Sequence, residues 1–226
     1  MKQILDYMPL DIITHPDGFI IVAPEKNDED GRLRISFWFY NLKTMVVQKV
    51  KKAFYAECKF GRAYTEIISQ INDYISCSVC ESPKGFTNVV FPTGEMGIFD
   101  HTGTLQWTGD LQYHDSSLRS CAPDGTDIWC AVPDQNAIVR YSTKLERVDF
   151  RIGGINTTAL RRPISISRYG DNLYVSCKDS NNVKRVNLKS YVVEDYRRFE
   201  ESVLRYVRVD DNEIVILNSG VYLLDD

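Results

Sequence analysis

The sequence has no long apolar run, no strong excess of either charge, little histidine and almost no helical periodicity. No stretch of the 226 residues approaches the roughly 20 consecutive apolar positions that a membrane helix needs, so no membrane span is expected. The opening residues, Met1-Lys2-Gln3-Ile4-Leu5-Asp6-Tyr7, lack the apolar centre of a signal peptide, and a cytoplasmic location is the expectation. A formal charge of −4 and a pI near 5.5 give no general attraction to nucleic acid or to anionic lipid. Nucleic acid is a poor partner for the further reason that no regular aromatic stripe accompanies the basic residues. The three histidines, His15, His101 and His114, are scattered. Cys77-Ser78-Val79-Cys80 has C-x-x-C spacing, but on a strand positions i and i+3 point to opposite faces, and no second pair exists. The acidic run Asp28-Glu29-Asp30 before Gly31 lacks the alternating ligands and distal Glu of a calcium loop and reads as a solvated hairpin tip. No metal and no cofactor are expected. Of the six cysteines, Cys77, Cys130 and Cys177 fall inside apolar strand-like runs, where a reduced thiol behaves as a small core residue. The segment 51–64 is the best helix candidate, and Gly61 breaks it.

What the chain does have is short runs of Val, Ile, Tyr, Phe and Thr between turn pairs such as Asp17-Gly18, Asp124-Gly125, Gly170-Asp171 and Asp211-Asn212. These runs repeat. Asp171-Asn172-Leu173-Tyr174-Val175-Ser176-Cys177 aligns with copies beginning at Asp17, Asn72, Gly125 and Asp211. One column reads Ile20, Ile75, Ile128, Leu173, Ile214, and two places on it reads Val22, Cys77, Cys130, Val175, Ile216, as one face of a strand would. The copies are spaced by 55, 53, 45 and 41 residues, around the length of a four-stranded propeller blade. The fifth copy stops one strand short, and a spare strand-like piece stands at residues 3–8. An N-terminal strand that completes the last blade removes both open edges of the ring. The expectation is a single all-β domain, a five-bladed β-propeller closed by its N-terminal strand. Its blades would lie at about 9–52, 64–109, 116–153, 162–199 and 203–226 with 2–8. A sixth blade is the alternative if 51–64 hides a degenerate strand pair.

Residues 163–194, with PISIS leading into GDNLYVSCKDSNNVKRVNLKSYVVE, resemble the repeat of YVTN and NHL-type β-propellers. The third copy, DGTDIWCAVPDQNAIVRYSTKLERVDFRIGG, is similar to the same repeat and to streptogramin-lyase-like propellers. The resemblance implies a fold, and the family includes enzymes, sensors and protein-binding modules.

The first two blades depart from the pattern by extra length at 25–31, 51–64 and 81–94, which is where function is expected. The leading expectation is a non-catalytic module that binds a protein, peptide or glycan on one face, and a monomer. Arg119, Arg161, Arg162 and Arg205 would converge at a channel mouth, with Trp38, Phe86, Trp107 and Tyr113 as exposed aromatic contacts. The alternative is a small-molecule hydrolase or lyase working in the central pocket. The resemblance to streptogramin-lyase-like enzymes implies a histidine and a metal near the ring's face, and His15 and His114 are the candidate histidines. The carboxylate triad of glycoside-cleaving rings has no counterpart, since the expected inner strands carry only Asp11 and Glu66 as acids.

Overall fold

The computed structural model describes residues 1–5, 7–25, 33–56, 78–81, 85–91 and 93–224. After β1 (Lys2–Leu5), the chain builds blade one from β2 (Asp11–His15), β3 (Gly18–Glu25), β4 (Leu33–Asn41) and β5 (Val47–Ala56). Blade two comprises β6 (Ser78–Glu81), β7 (Thr87–Val90), β8 (Glu95–Phe99) and β9 (Leu105–Asp110), followed by a small hairpin of β10 (Gln112–Tyr113) and β11 (Ser116–Ser117). Blade three is β12 (Arg119–Asp124), β13 (Asp127–Val132), β14 (Ala137–Ser142) and β15 (Arg147–Gly153). Blade four is β16 (Pro163–Tyr169), β17 (Asn172–Cys177), β18 (Asn182–Asn187) and β19 (Val193–Arg198). Blade five takes β20 (Val203–Val209), β21 (Asn212–Leu217) and β22 (Gly220–Leu224), and β1 pairs antiparallel with β22 as its outer strand. The result is a ring of five four-stranded antiparallel blades, closed by the N-terminal strand.

Burial peaks at the second strand of a blade and falls toward the outer strand, which is why the strands differ in pattern. The second strands β13, β17 and β21 are buried at every position after their first residue. The outer strands β9, β15 and β19 are mostly exposed or half-buried. The core is divided into clusters between neighbouring blades. Ile128, Cys130 and Val132 pack on blade two, Leu173, Val175 and Cys177 pack on Trp129 of blade three, and Val215 and Leu217 pack on Tyr174 of blade four. Phe19 and Ile21 of blade one meet Ile214 and Ile216 of blade five, with Leu5 from the closing strand in the same cluster.

These contacts correct the repeat column. It holds for Ile128 and Leu173, but the turns place Phe19 and Glu213, not Ile20 and Ile214, in the equivalent positions. A strand apolar on both faces gives no alternation by which to set its register, so a slip of one residue is invisible in the sequence. In blade two the expected second strand is displaced altogether. Ser78 opens the innermost strand, and residues 72–77 lie outside the described ones. The helix expected at 51–64 is not formed over its first part, because residues 51–56 continue β5 along β4. That strand completes blade one, and the described blades number five, not six. Part of the extra length in blade one is longer strands, eight residues in β3 and nine in β4.

The described cysteines, Cys80, Cys121, Cys130 and Cys177, are free thiols in the core. Cys58 and Cys77 lie outside the described residues.

Because the closing strand contributes a buried leucine, weakening it should loosen the whole ring. Leu5→Ala is expected to cost about 2–4 kcal/mol and to lower the melting temperature by roughly 5–15 °C in a thermal melt. A melt that does not move would mean that β1 contributes nothing to closure.

Candidate binding site at the centre of the ring

Alternate ends of antiparallel strands face the two ends of the ring. The turns after each innermost strand and after each third strand share one end, and the remaining connections share the other. Between these ends the channel is crossed by a ring of side chains, one from each of four blades. The Asp11 carboxylate (Oδ2) accepts the Val79 N–H at 2.8 Å, Ser78 Oγ accepts the Cys121 N–H at 2.8 Å, and Ser120 Oγ accepts the Ile166 N–H at 3.0 Å. Each of these side chains reaches the backbone of the next blade. Arg205 closes the circle from blade five: it donates to the carbonyls of Ile166 and Ile12, and its Nε lies 2.8 Å from Asp11 Oδ1. Ser78 and Ser120 are themselves 3.2 Å apart, and Arg205 is 3.3 Å from Ser120 Oγ. Ser120 takes a positive φ of 50° at the bulge in β12 that turns its hydroxyl toward this ring.

Arg205 and Asp11 are 4% and 1% exposed, so neither is available to an anionic ligand. Burial pushes the Asp11 carboxyl up from its ordinary range, while Arg205, two backbone N–H groups and Ser78 pull it back. A charge pair this deep needs further hydrogen bonds, and here backbone groups of three blades, at Ile12, Val79 and Ile166, supply bonds to its two members.

On the side of the ring where the innermost strands end lies a cavity of about 270 Å³. Ile13, Ile20, Val79, Ala122 and Val207 form apolar walls, Arg205 lies toward its floor, and His15, Ser167 and Arg168 add polar groups. The polar groups are largely committed. Ser167 donates to the Tyr206 carbonyl at 2.6 Å, and Arg168 binds Asp124 at 2.7 Å and the Pro123 carbonyl at 2.9 Å, clamping blade four to blade three. His15 Nδ1 accepts the Asp17 N–H at 3.2 Å, and the ring packs edge-on to Phe39 at 4.7 Å. Two thiols, Cys80 and Cys121, also line the cavity. The neighbouring Cys80 thiol and burial together hold the Cys121 thiol well above its ordinary range, so it stays protonated.

The residues singled out in the sequence are dispersed by the fold. His15 is at the cavity, whereas His114 sits at the opposite end, in the β10–β11 hairpin, with φ 47° and 4.2 Å from the Tyr113 ring. Tyr113 accepts a bond from Arg151 at 3.3 Å beside it. Arg119, Arg161 and Arg162 are also at that opposite end, where the innermost strands begin. Arg161 is exposed, Arg162 is 4.0 Å from Asp179, and Arg119 is half-buried at the first position of β12. Arg205 points into the ring on Asp11 and so stands apart from Arg119, Arg161 and Arg162, which share the end where the innermost strands begin. Trp38 is half-buried, its Nε1 donating to Ser36 Oγ at 3.1 Å, and so is not an exposed contact. Phe86 and Trp107 are each 36% exposed, the first before β7 and the second on the outer strand β9. Residues 26–32, 57–77 and 82–84 of the long connections, and Glu66, lie outside the described residues. Sequence reasoning missed Ser78 and Ser120; a polar residue beginning an apolar innermost strand in successive blades is the signal that could have found them.

Among the described residues, no group of three or more His, Cys, Asp or Glu side chains could hold a metal ion. No helix among them is long and apolar enough to cross a membrane.

No family model matches the sequence, and no curated protein matches it either. Among solved structures the chain is similar to U3-55K, with a TM-score of 0.57 and 8% identity over 98% of this chain and 63% of that one. It is also similar to Saccharomyces cerevisiae Sqt1, with a TM-score of 0.52 and 13% identity over 94% of this chain and 70% of that one. Likeness at this level shows the β-propeller fold and nothing finer.

The central pair makes a sharp prediction. Arg205→Met alone leaves a buried carboxylate uncompensated and should cost about 3–5 kcal/mol in denaturant unfolding. Adding Asp11→Leu should recover most of that loss, since the two changes remove both charges together. Additive losses in the double variant would show that the two groups are not coupled.

Proposed function

We propose that this chain is a non-catalytic binding module that holds a segment of a partner protein against the end of the ring bearing the central cavity. The observation that carries the reading is the commitment of the cavity's polar groups. Arg205, Arg168 and Ser167 are bonded within the protein, while the walls beside them are apolar. Such a cavity offers a socket for an apolar side chain and few free polar groups for bond-making chemistry. The turns that surround the mouth, His15-Pro16-Asp17-Gly18, Asp124-Gly125-Thr126-Asp127, Tyr169-Gly170-Asp171-Asn172 and Val209-Asp210-Asp211-Asn212, contain six aspartates and no lysine or arginine. Several are well exposed, with Asp17 at 58%, Asp171 at 54% and Asp211 at 91%.

The hydrolase or lyase reading finds less support. An acid–base pair needs two titratable groups within hydrogen-bond reach of one substrate atom. His15 and His114 are at opposite ends, Asp11 is held by Arg205, and the two cavity thiols are buried. A glycan is also a poorer occupant than a protein segment, because the committed polar groups leave few partners for its hydroxyls. The YVTN and NHL resemblance and the cytoplasmic location stay as expectations of the sequence.

The test is a partner captured by the full chain and then titrated against variants. Thr14 is exposed at the cavity mouth, so Thr14→Trp should fill the mouth with little change in stability. It should weaken the partner's binding by about tenfold or more, whereas Arg161→Glu at the other end should leave it unchanged. Binding that survives Thr14→Trp and is lost with Arg161→Glu would place the partner on the wrong end and overturn the proposal.

A further inference from the structure

A second cavity, of about 230 Å³, opens between blades two and three. It is lined by Met96 and Ile98 of β8, Trp107 of β9, Tyr141 of β14, and Thr143 and Glu146 of the turn that follows β14. We propose that this groove is a recognition slot for a lysine side chain of a partner protein, with the alkyl stem along Trp107 and the apolar wall and the ammonium at Glu146. The slot extends the binding reading to a site about which the central cavity says nothing.

Three observations carry it. First, the walls offer a cation what it needs. Two aromatic rings and two aliphatic side chains suit a long methylene stem, and an indole face is the strongest aromatic partner for a cation. Second, the slot holds a single charged group, Glu146, and among the described residues Glu146 forms no ion pair. Its carboxylate lies close enough to Tyr141 to add to the effect of burial in raising that hydroxyl's pKa. An uncharged side chain would forgo the attraction that this exposed carboxylate offers a cation. Third, the parts are fixed in place. The turn that carries Thr143 and Glu146 is tied to the preceding hairpin by the Thr143 N–H to Asp127 Oδ1 at 3.2 Å and Thr143 Oγ1 to the Thr126 carbonyl at 2.7 Å. Glu146 itself takes a left-handed φ of 51°. Trp107 lies across Gly109, where an added Cβ would stand 2.4 Å from the indole ring, so the glycine is what allows the ring to lie flat along β9.

Lysine fits better than arginine. The compact ammonium at the end of an unbranched stem can meet Glu146 and the Thr143 hydroxyl together, whereas a planar guanidinium spreads its donors over a wider fork.

The probe is Nα-acetyl-lysine methylamide, titrated to about 50 mM while the indole N–H signals of the full chain are followed by NMR. Matched titrations use the Nε-acetylated, norleucine and arginine derivatives. Trp107 is identified by Trp107→Phe. The expected result is a saturable shift confined to the Trp107 signal, weakened at least about tenfold by Glu146→Gln and by Nε-acetylation, and by added salt. Gly109→Ala, which displaces the ring, should also abolish the shift while the other two indole signals stay in place as evidence of folding. No saturable shift would overturn the proposal. So would equal binding of the norleucine derivative, which would make the groove a plain apolar socket, or tighter binding of the arginine derivative. None of these outcomes bears on the Thr14→Trp result, so the slot and the central cavity fail or stand separately.

Discussion

The structure depends on the contact between Asp11 and Arg205. The innermost strands of a propeller line a central channel, and neighbouring blades meet there without forming one sheet. Here the closure is made by side chains that reach sideways to the next blade: a carboxylate, two hydroxyls and a guanidinium, each bonded to another blade's backbone. The ion pair joins the first blade to the last across the seam that the N-terminal strand closes. Removing one partner leaves a charge in the protein interior, which is why the pair ties the ring together more firmly than its net contribution to stability would indicate.

That closure also leaves the channel with two separate ends. The end with the central cavity has apolar walls and aspartate-bearing turns. The other end carries the β10–β11 hairpin with Tyr113 and His114, and the exposed Arg161. The residues a reader of the sequence would gather into one site are distributed between them. The groove between blades two and three lies apart from both, and its lining comes from strands more than 30 residues apart in the chain, from Met96 to Tyr141.

Blades three and four were legible because their hairpins are short and their turns explicit. Gly125-Thr126 and Gly170-Asp171 mark the first hairpin of each blade, and Asn136 and Asn181, both with φ of 50°, mark the second. Closure by residues 2–5 was legible for the same reason, since a missing outer strand at one terminus and a spare one at the other have a single economical arrangement. The register of β3 and β21 was not, because these strands are apolar on both faces over most of their length and a one-residue slip changes little that is visible. Blade two escaped because its innermost strand is only four residues long and its apolar neighbour at 72–77 imitates the repeat better. Arg205 illustrates the limit at the site. An arginine in an apolar strand reads as a channel-facing ligand contact unless its acidic partner is known, and that partner, Asp11, stands 194 residues away. The lysine slot has no sequence signature, because Trp107 and Glu146 become neighbours only when two blades pack together.

The most direct test of the central closure is hydrogen–deuterium exchange resolved to single amides. If side chains of one blade hold the next, the N–H groups of Val79, Cys121 and Ile166 should be among the slowest to exchange in the molecule. Asp11→Ala should then accelerate Val79 more than Ile166, since only the former donates to the lost carboxylate. Exchange of these three amides at the rates of the outer strands β15 and β19 would contradict the account.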